Sequence, residues 1–511
     1  MVQQDSELVE YGTRRWLIVV GVMSATLLQV LDATIVNVAL PTIQGNLGAN
    51  FDEGAWIVTG YIISAVIVIP LTPWLQQLMG RRQYYVAAII GFTITSVLCG
   101  ISTSLDELVF FRILQGLCGG GLISTGQAIM RDTFPARQLG LSQALTSIGA
   151  VIGPSIGPTL GGVLTDQLSW NWIFFINILP GAFSAALCAS LLRNPARRGR
   201  PSLDGVGLAL MAMGLGCLQY VLDEGERYDW FNDTNILLTA VVSVASLIAF
   251  AWWELRVVTN PIVDLRILIR NRTVAAGCLL AMTLAFGLFG GIILSPQFQQ
   301  NLLNFTATLS GLSILTRALA IALATPVTLF LLGRAHMKPA VLLGAGFVIV
   351  AAANVINAQV LTTQSVFGTF VFPLVLGGIG FGMLFVPLSV AVLSSVQGID
   401  TQKATSLISL CLQLGGSIST AVLVTLLDRR GAQHLDTLAG SVTLRNPAVA
   451  SAVQQHASIS QLAGAVGQQA SALAFADAFY VLGAITLLLT PLVFLLRSPR
   501  VPVARPAPAA E

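Results

Sequence analysis

Charge is what this chain has least of. Only 10% of its 511 residues are Asp, Glu, Lys or Arg, against about 25% in ordinary soluble domains. Together with a mean hydropathy of +0.80, that shortage excludes a fold built for water. Histidine is nearly absent as well. His336, His434 and His456 all fall between apolar runs, which excludes a histidine proton relay inside a membrane. The six cysteines have no metal-ligand spacing and read as small apolar packing residues. No GxxxxGK[ST] stretch occurs, so this chain alone has no phosphate-cradling loop for ATP-driven work. No nucleophile–base constellation or metal cluster stands out. A membrane-embedded enzyme or sensor would need such a polar cluster, so no catalytic residue, metal or cofactor is expected. A net charge of +3 is too small to suggest nucleic-acid binding.

What the chain has in abundance is apolar runs of about 20 residues, each long enough to cross a bilayer as a helix. Fourteen are expected, near 16–40, 54–78, 84–104, 107–130, 141–165, 171–193, 205–223, 236–255, 274–298, 307–332, 339–360, 367–394, 406–428 and 476–497. Barrel strands alternate over about 10 residues, so uniformly apolar runs mean an all-α polytopic membrane protein. The first run is too long, and lacks the small-residue site, to read as a cleaved signal peptide.

Lys and Arg set the orientation. With the N-terminus inside, the inner loops and termini carry 20 of the 26 basic residues, among them Arg14, Arg15, Arg81, Arg82, Arg131, Arg137, the Arg193–Arg200 cluster, Arg334 and Lys338. The expected organisation is a cytoplasmic N-terminus (1–15), six spans (16–193), a linker with two extra spans (194–273), six more spans (274–497) and a cytoplasmic tail (498–511). Residues 429–475, rich in Ala, Gln and Ser, form the one long outer loop and are expected to hold helical pieces at the membrane surface. The two sets of six echo each other. "LQQLMGRRQ" is matched by "LFLLGRAHMK", with Gly80 and Gly333 253 residues apart, and Gly116, Gly119, Gly120 and Gly121 are matched by Gly377, Gly378, Gly380 and Gly382. Offsets of this kind point to an internal duplication, a signature of secondary transporters.

Asp32 is the one acidic residue well inside a span. A charge at mid-span costs about 2.5–3.5 kcal/mol on insertion scales, and intramembrane ionisable groups are functional by default. A reversibly protonated carboxylate there suits carrying a proton or meeting a cationic substrate; the alternative is a permanent pair with a base such as Arg112. Gln29, three residues earlier, lies on nearly the same helix face and is within hydrogen-bonding reach of Asp32; Asn37 lies about 140° round the helix and serves another contact. Arg112 is always charged. It either stabilises an acid such as Asp32 or snorkels to the outer surface. Trp56, Tyr61, Phe286, Phe289, Met383 and Phe385 offer flat, polarisable surfaces for a cavity that takes hydrophobic ligands, or else fill the core. Arg317, the other base within a span, reads substrate, pairs with a carboxylate or points outward.

The fifth span reads "GAVIGPSIGPTLGGVL". Gly149, Gly153, Gly157 and Gly161 are four apart and form one stripe that lets another helix approach closely. Gly162 follows, and Pro154 and Pro158 free backbone carbonyls. Close packing and a bent pivot are both open readings.

This stretch resembles the antiporter signature of drug:proton antiporters in the major facilitator superfamily. "LDATIVNVALP" resembles the first-span motif of its fourteen-span branch, and "FFRILQGLCGG", with Arg112, Gln115 and Gly116, the fourth-span motif linked to proton coupling. "WNWIFFINILPG" and "NPIVDLRIL" are also typical. The resemblance runs from about residue 16 to 497 and is closest to EmrB-type multidrug efflux pumps. It implies the major facilitator fold, two six-helix halves plus two inserted spans. It further implies proton-coupled export of hydrophobic drugs or toxic compounds across the inner membrane, with a periplasmic adaptor and an outer-membrane channel as partners. Energy would come from the proton gradient, with Asp32 and Arg112 as coupling residues. The alternative cargo is a fatty acid or another anionic metabolite, with Arg317 as its ligand. The loop after the second span, "PWLQQLMGRR", departs from the family pattern: Pro73 stands at a Gly position and Gln77 at an Asp position. Gly80, Arg81 and Arg82 remain as the gating loop, without the usual acid for an ion pair between the halves.

Overall fold

The computed structural model describes residues 8–49, 51–135, 138–194, 204–258, 261, 263–333, 335, 337–396, 399–442 and 459–496. The basic linker 195–203, Arg137, Arg334, His336, Arg445, His456 and both termini lie outside the described residues. Every regular element is helical. The first six spans are α1 (Gly12–Leu47), α2 (Phe51–Met79), α3 (Arg81–Ile101), α4 and α5 (Leu105–Gly119, Leu122–Thr133), α6 (Leu139–Gln167), and α7 and α8 (Trp172–Phe175, Ile178–Leu191). Two more, α9 (Gly205–Glu224) and α10 (Thr234–Trp252), precede a short inner helix, α11 (Arg266–Arg270). The last six are α12 (Arg272–Asn301), α13 (Ala307–Gly333), α14 (Pro339–Val360), α15 and α16 (Phe367–Gly382, Phe385–Leu393), α17 (Ile399–Ser441) and α18 (Ile459–Leu489). Thirteen stretches are long and apolar enough to cross a membrane among the described residues. With the 29-residue α6, fourteen helical spans follow one another along the chain.

Local chemistry sets several boundaries. Ser104 caps α4 by accepting from the Glu107 amide (3.3 Å), and Glu107 reaches back to the Thr103 amide, a reciprocal cap. Asn271 caps α12 through the Thr273 and Val274 amides, and its Nδ2 also donates to Ser395. The fourth span of each half is broken within or beside its glycine cluster, at Gly120–Gly121 and at Met383–Leu384. Helix-weakening glycines therefore interrupt both halves at corresponding places.

The first half packs around Ile18, Val22, Tyr85, Phe92 and Met130 near one end and Ile35, Ile57, Leu108 and Phe174 towards the other. The last half has one core around Phe347, Phe381 and Leu384 and another around Phe298, Phe370, Phe475 and Phe479. The helices α9 and α10 pack on each other, and α9 also lies against α2 and α17. Gln219 of α9 hydrogen-bonds Ser417 of α17 at 2.8 Å, and Tyr220 stacks on Trp56 of α2. All six cysteines are free, and each is buried or half-buried.

The segment expected as a long outer loop is different. The helix α17 continues unbroken to Ser441, and α18 begins at Ile459. Among the described residues the expected surface pieces are thus extensions of two spans; residues 443–458 lie outside the described residues. Their alanine and glutamine content favours helix over loop. At about 1.5 Å per residue, the 43 residues of α17 reach about 65 Å, twice the roughly 30 Å of a bilayer core. His434 and Arg430 of α17 contact Asp477 of α18 at 2.9 and 3.6 Å, tying the two extensions together.

Candidate functional site

The site is built around α1. Asp32 is fully buried, where α1 faces α4 and the start of α8. Its Oδ2 accepts from Arg112 Nη1 at 2.7 Å; its Oδ1 accepts from Gln115 Nε2 and Asn177 Nδ2, both at 3.0 Å. Every one of these contacts is a donor, which suits a carboxylate anion. Arg112 is equally buried. It donates through Nε to the Ile57 carbonyl (3.0 Å) and through Nη1 to Gln115 Oε1 (2.7 Å), and its guanidinium lies 4.2 Å from the Tyr61 ring centre. Asn177 also donates to Ser96, whose hydroxyl donates to the Phe174 carbonyl. The network leaves neither charge unsatisfied, as a buried pair requires.

In this conformation Asp32 is paired with Arg112. Arg112 does not snorkel, because its partners lie inward. Gln29 is not among the partners of Asp32: its Oε1 accepts from the Ile123 amide at the start of α5 instead. Tyr61 is buried in this conformation, its ring covered by Arg112. The roles of Gln115 and Asn177 were missed. Both lie in the quoted motifs, and Gln115 sits three residues after Arg112, on the same helix face; nothing in the sequence alone said that Asn177 would meet Asp32.

The remaining candidates do not share one cavity in this conformation. Trp56 is 41% exposed. With Glu53, Asp106, Val109 and Phe110 it lines an outer cavity of about 280 Å³. Asn37 is exposed on α1. Phe286 is in the core of the last half, Phe289 lies against Gly416, Phe385 packs on a neighbouring core, and Met383 sits at the α15–α16 break. The apolar bulk of the phenylalanines is satisfied by neighbouring helices. Arg317 is buried between helices of the last half, far in sequence from the Asp32 network.

Gly153, Gly157 and Gly161 of α6 lie against Val30, Thr34 and Ile35 of α1, so close that added Cβ atoms would collide. The stripe is thus the contact that seats the Asp32 helix. On its other sides α6 packs on α13 and α16 of the last half. The surroundings of Gly149 and the side chains of Pro154 and Pro158 lie outside what is described.

The loop between α2 and α3 turns at Gly80, whose φ of 94° is a region few other residues adopt. Arg81 pairs with Asp132 at the end of α5 (2.6 Å), and Arg82 bonds Asn194 and the Ala189 carbonyl. All are contacts within the first half. Arg131 makes a polar contact across the halves. It lies 3.6 Å from Asp132 and donates to the Leu393 and Val396 carbonyls at 3.3 and 3.2 Å, where the end of α16 favours a cation. Ser406 of α17 adds a bond to the Ile69 carbonyl of α2 at 2.6 Å. Substituting Gly80→Ala is expected to cost about 1–2 kcal/mol and to lower the melting midpoint of the purified protein; an unchanged midpoint would show that the turn relaxes freely.

Residues 22–420 match the Major Facilitator Superfamily. The multidrug export protein EmrB of Escherichia coli K12 is 34% identical over 438 residues, 85% of each chain. The fatty acid resistance protein FarB of Neisseria gonorrhoeae is 34% identical over 423 residues, 82% of each. The chain belongs to the major facilitator superfamily, among its EmrB-type efflux pumps. The crystal structure of the human organic anion transporter MFSD10 (TETRAN) shares the fold, with a TM-score of 0.62 over 94% of this chain and 100% of that one at 14% identity. As a major facilitator, the protein is a multi-pass membrane transporter, and its fourteen helices fit the two six-helix halves plus two inserted spans implied by the motifs.

Proposed function

We propose that this facilitator is a proton-coupled antiporter that exports hydrophobic drugs or toxic compounds across the inner membrane, with both termini cytoplasmic. The observation that carries the reading is the Asp32–Arg112 pair, buried inside the membrane-spanning bundle and held by hydrogen bonds from Gln115 and Asn177 and to the Ile57 carbonyl. A structural pair in lipid could be replaced by apolar residues at little cost. One that can be opened by a proton has a use.

In the proposed cycle, protonation of Asp32 cancels its attraction for Arg112 and turns one acceptor oxygen into a donor. Arg112 keeps the Ile57 carbonyl and Gln115, so it is not left bare. The helix α1 then shifts against α4 and carries α6 with it through the glycine stripe. Because α6 also packs on α13 and α16, the shift reaches the opposite half. The inner contacts of Arg131 and Ser406 open, and cargo enters from the cytoplasmic side. Loss of the proton inward resets the pair. No cofactor enters this scheme; the proton gradient is the energy source.

The extensions of α17 and α18 would present a polar helical surface beyond the membrane on the outer side. We assign to them the docking of a periplasmic adaptor, which would connect the pump to an outer-membrane channel. The decisive experiment compares a deletion strain with its complemented parent on a panel of hydrophobic drugs, with and without an uncoupler. The parent is expected to survive higher concentrations, and the uncoupler to erase the difference. Resistance that persists in de-energised cells would overturn proton coupling.

A further inference from the structure

The two halves treat their buried arginines differently. In the first, Arg112 has a carboxylate. In the last, Arg317 of α13 is 6% exposed, and no hydrogen bond or ion pair reaches it among the described residues. An arginine cannot escape by losing its proton, and a buried cation without a partner is strongly disfavoured. The guanidinium points at α12, where Nη1 lies 2.5 Å from where a Cβ on Gly291 would stand. A glycine there clears room beside the cation, and α12 supplies no acid.

Arg317 also lines a crevice between α12, α13, α14, α15 and α18. Ser295, Asn354 and Asn357 add polar groups, and Leu374, Phe381 and Phe479 add apolar walls. Asn354 is itself buried, and its Nδ2 donor has no partner. An unpaired cation and a residue with an unpaired amide donor thus line the same crevice. The two oxygens of a carboxylate offer an acceptor for each. In this conformation the cavity is only about 10 Å³, room for about one water molecule, so the helices must part to admit anything larger. The apolar walls suit a ligand with a hydrocarbon body next to its charged end.

We infer that Arg317 and Asn354 form a receptor for the carboxylate of an amphipathic cargo, such as a medium-chain fatty acid, within the last half of the bundle. This deepens the export reading and rests on it: the same pump would take neutral or cationic compounds elsewhere and carboxylates at Arg317.

The test uses the purified full chain in nanodiscs, with sodium dodecanoate as probe and dodecanol, dodecyltrimethylammonium and acetate as comparators. Binding is read by calorimetry. Wild type is expected to bind dodecanoate on the order of 30-fold more tightly than dodecanol, the effect of a buried charged partner. Arg317→Gln is expected to bring dodecanoate to the dodecanol level, and Arg317→Lys to restore part of the gap. Asn354→Ala, which removes no charge, is expected to weaken dodecanoate several-fold and serves if Arg317→Gln fails to fold. Equal affinity of wild type for the acid and the alcohol, or unchanged dodecanoate binding in Arg317→Gln or Asn354→Ala, would overturn the inference. Acetate displacing dodecanoate at matched concentration would also overturn it, since the site would then hold a small anion and not a cargo. Uncoupler-sensitive ethidium export by wild-type vesicles, measured in parallel, bears only on the export reading, so the two can fail separately.

Discussion

Asp32→Asn is expected to abolish export against a gradient while leaving a folded, membrane-inserted protein. Asparagine keeps one acceptor oxygen for Arg112 and cannot change its charge. The variant should therefore resemble the protonated state and stay there. Substrate-driven proton release from the purified protein should fall below detection, and uncoupler-sensitive ethidium efflux should drop at least about tenfold, the equivalent of about 1.4 kcal/mol. Stability supplies an independent readout. Asp32→Leu leaves Arg112 buried without its anion and is expected to cost about 3–5 kcal/mol. Adding Arg112→Leu to that variant should recover much of the loss, because neighbours in one network are not additive. An Asp32→Asn protein that still pumps uphill would remove this residue from the coupling step. If Asp32→Leu melts like wild type, the pair has little structural weight.

The second large effect separates two adjacent glycines. A Cβ on Gly161 would meet the Ile35 side chain at 2.8 Å and the Ile35 backbone oxygen at 2.9 Å. The oxygen cannot move without its helix. Gly161→Ala is therefore expected to push α6 from α1, at about 1–3 kcal/mol, and to disturb the helix that carries Asp32. A Cβ on Gly162 would meet only Val38, at 3.9 Å. Gly162→Ala is expected to be neutral or stabilising by up to about 1 kcal/mol, the ordinary gain for alanine over glycine inside a helix. Melting midpoints and efflux of the two proteins check this directly. If both tolerate alanine equally, the stripe does not hold the helices together; if both fail equally, the glycines act through something other than contact.

Much of the fold was legible because a membrane leaves few choices. Long apolar runs must be helices, and the scatter of arginines implied an even number of spans. The glycines four apart announced a close helix contact, and the structure identifies Val30, Thr34 and Ile35 of α1 as what they touch. Asp32 and Arg112 were conspicuous for being expensive in lipid. That each would neutralise the other was one of two readings, and sequence could not choose between them, because 80 residues separate the two. Gln29 looked the natural partner from helix periodicity; it turned instead to a free amide where α5 begins. The helix break at Gly120–Gly121 leaves amides without intrahelical partners, and periodicity carries no sign of that. The aromatic candidates scattered because phenylalanine is as useful in a core as against a ligand. Arg131 was counted as a topology charge, and its reach to the carbonyls of Leu393 and Val396 depends on a contact between halves 262 residues apart.

The length of α17 has a mechanical consequence. One helix touches α2 at one end through Ser406, meets α9 through Ser417, and ends well beyond the bundle core at Ser441. It is a lever with its fulcrum in the bilayer. From Ser417 to its tip is about 36 Å at helical rise, so a tilt of about 10° sweeps the tip through about 6 Å. A modest rotation at the Ser406 end is thereby magnified into a displacement of several ångströms at the far tip.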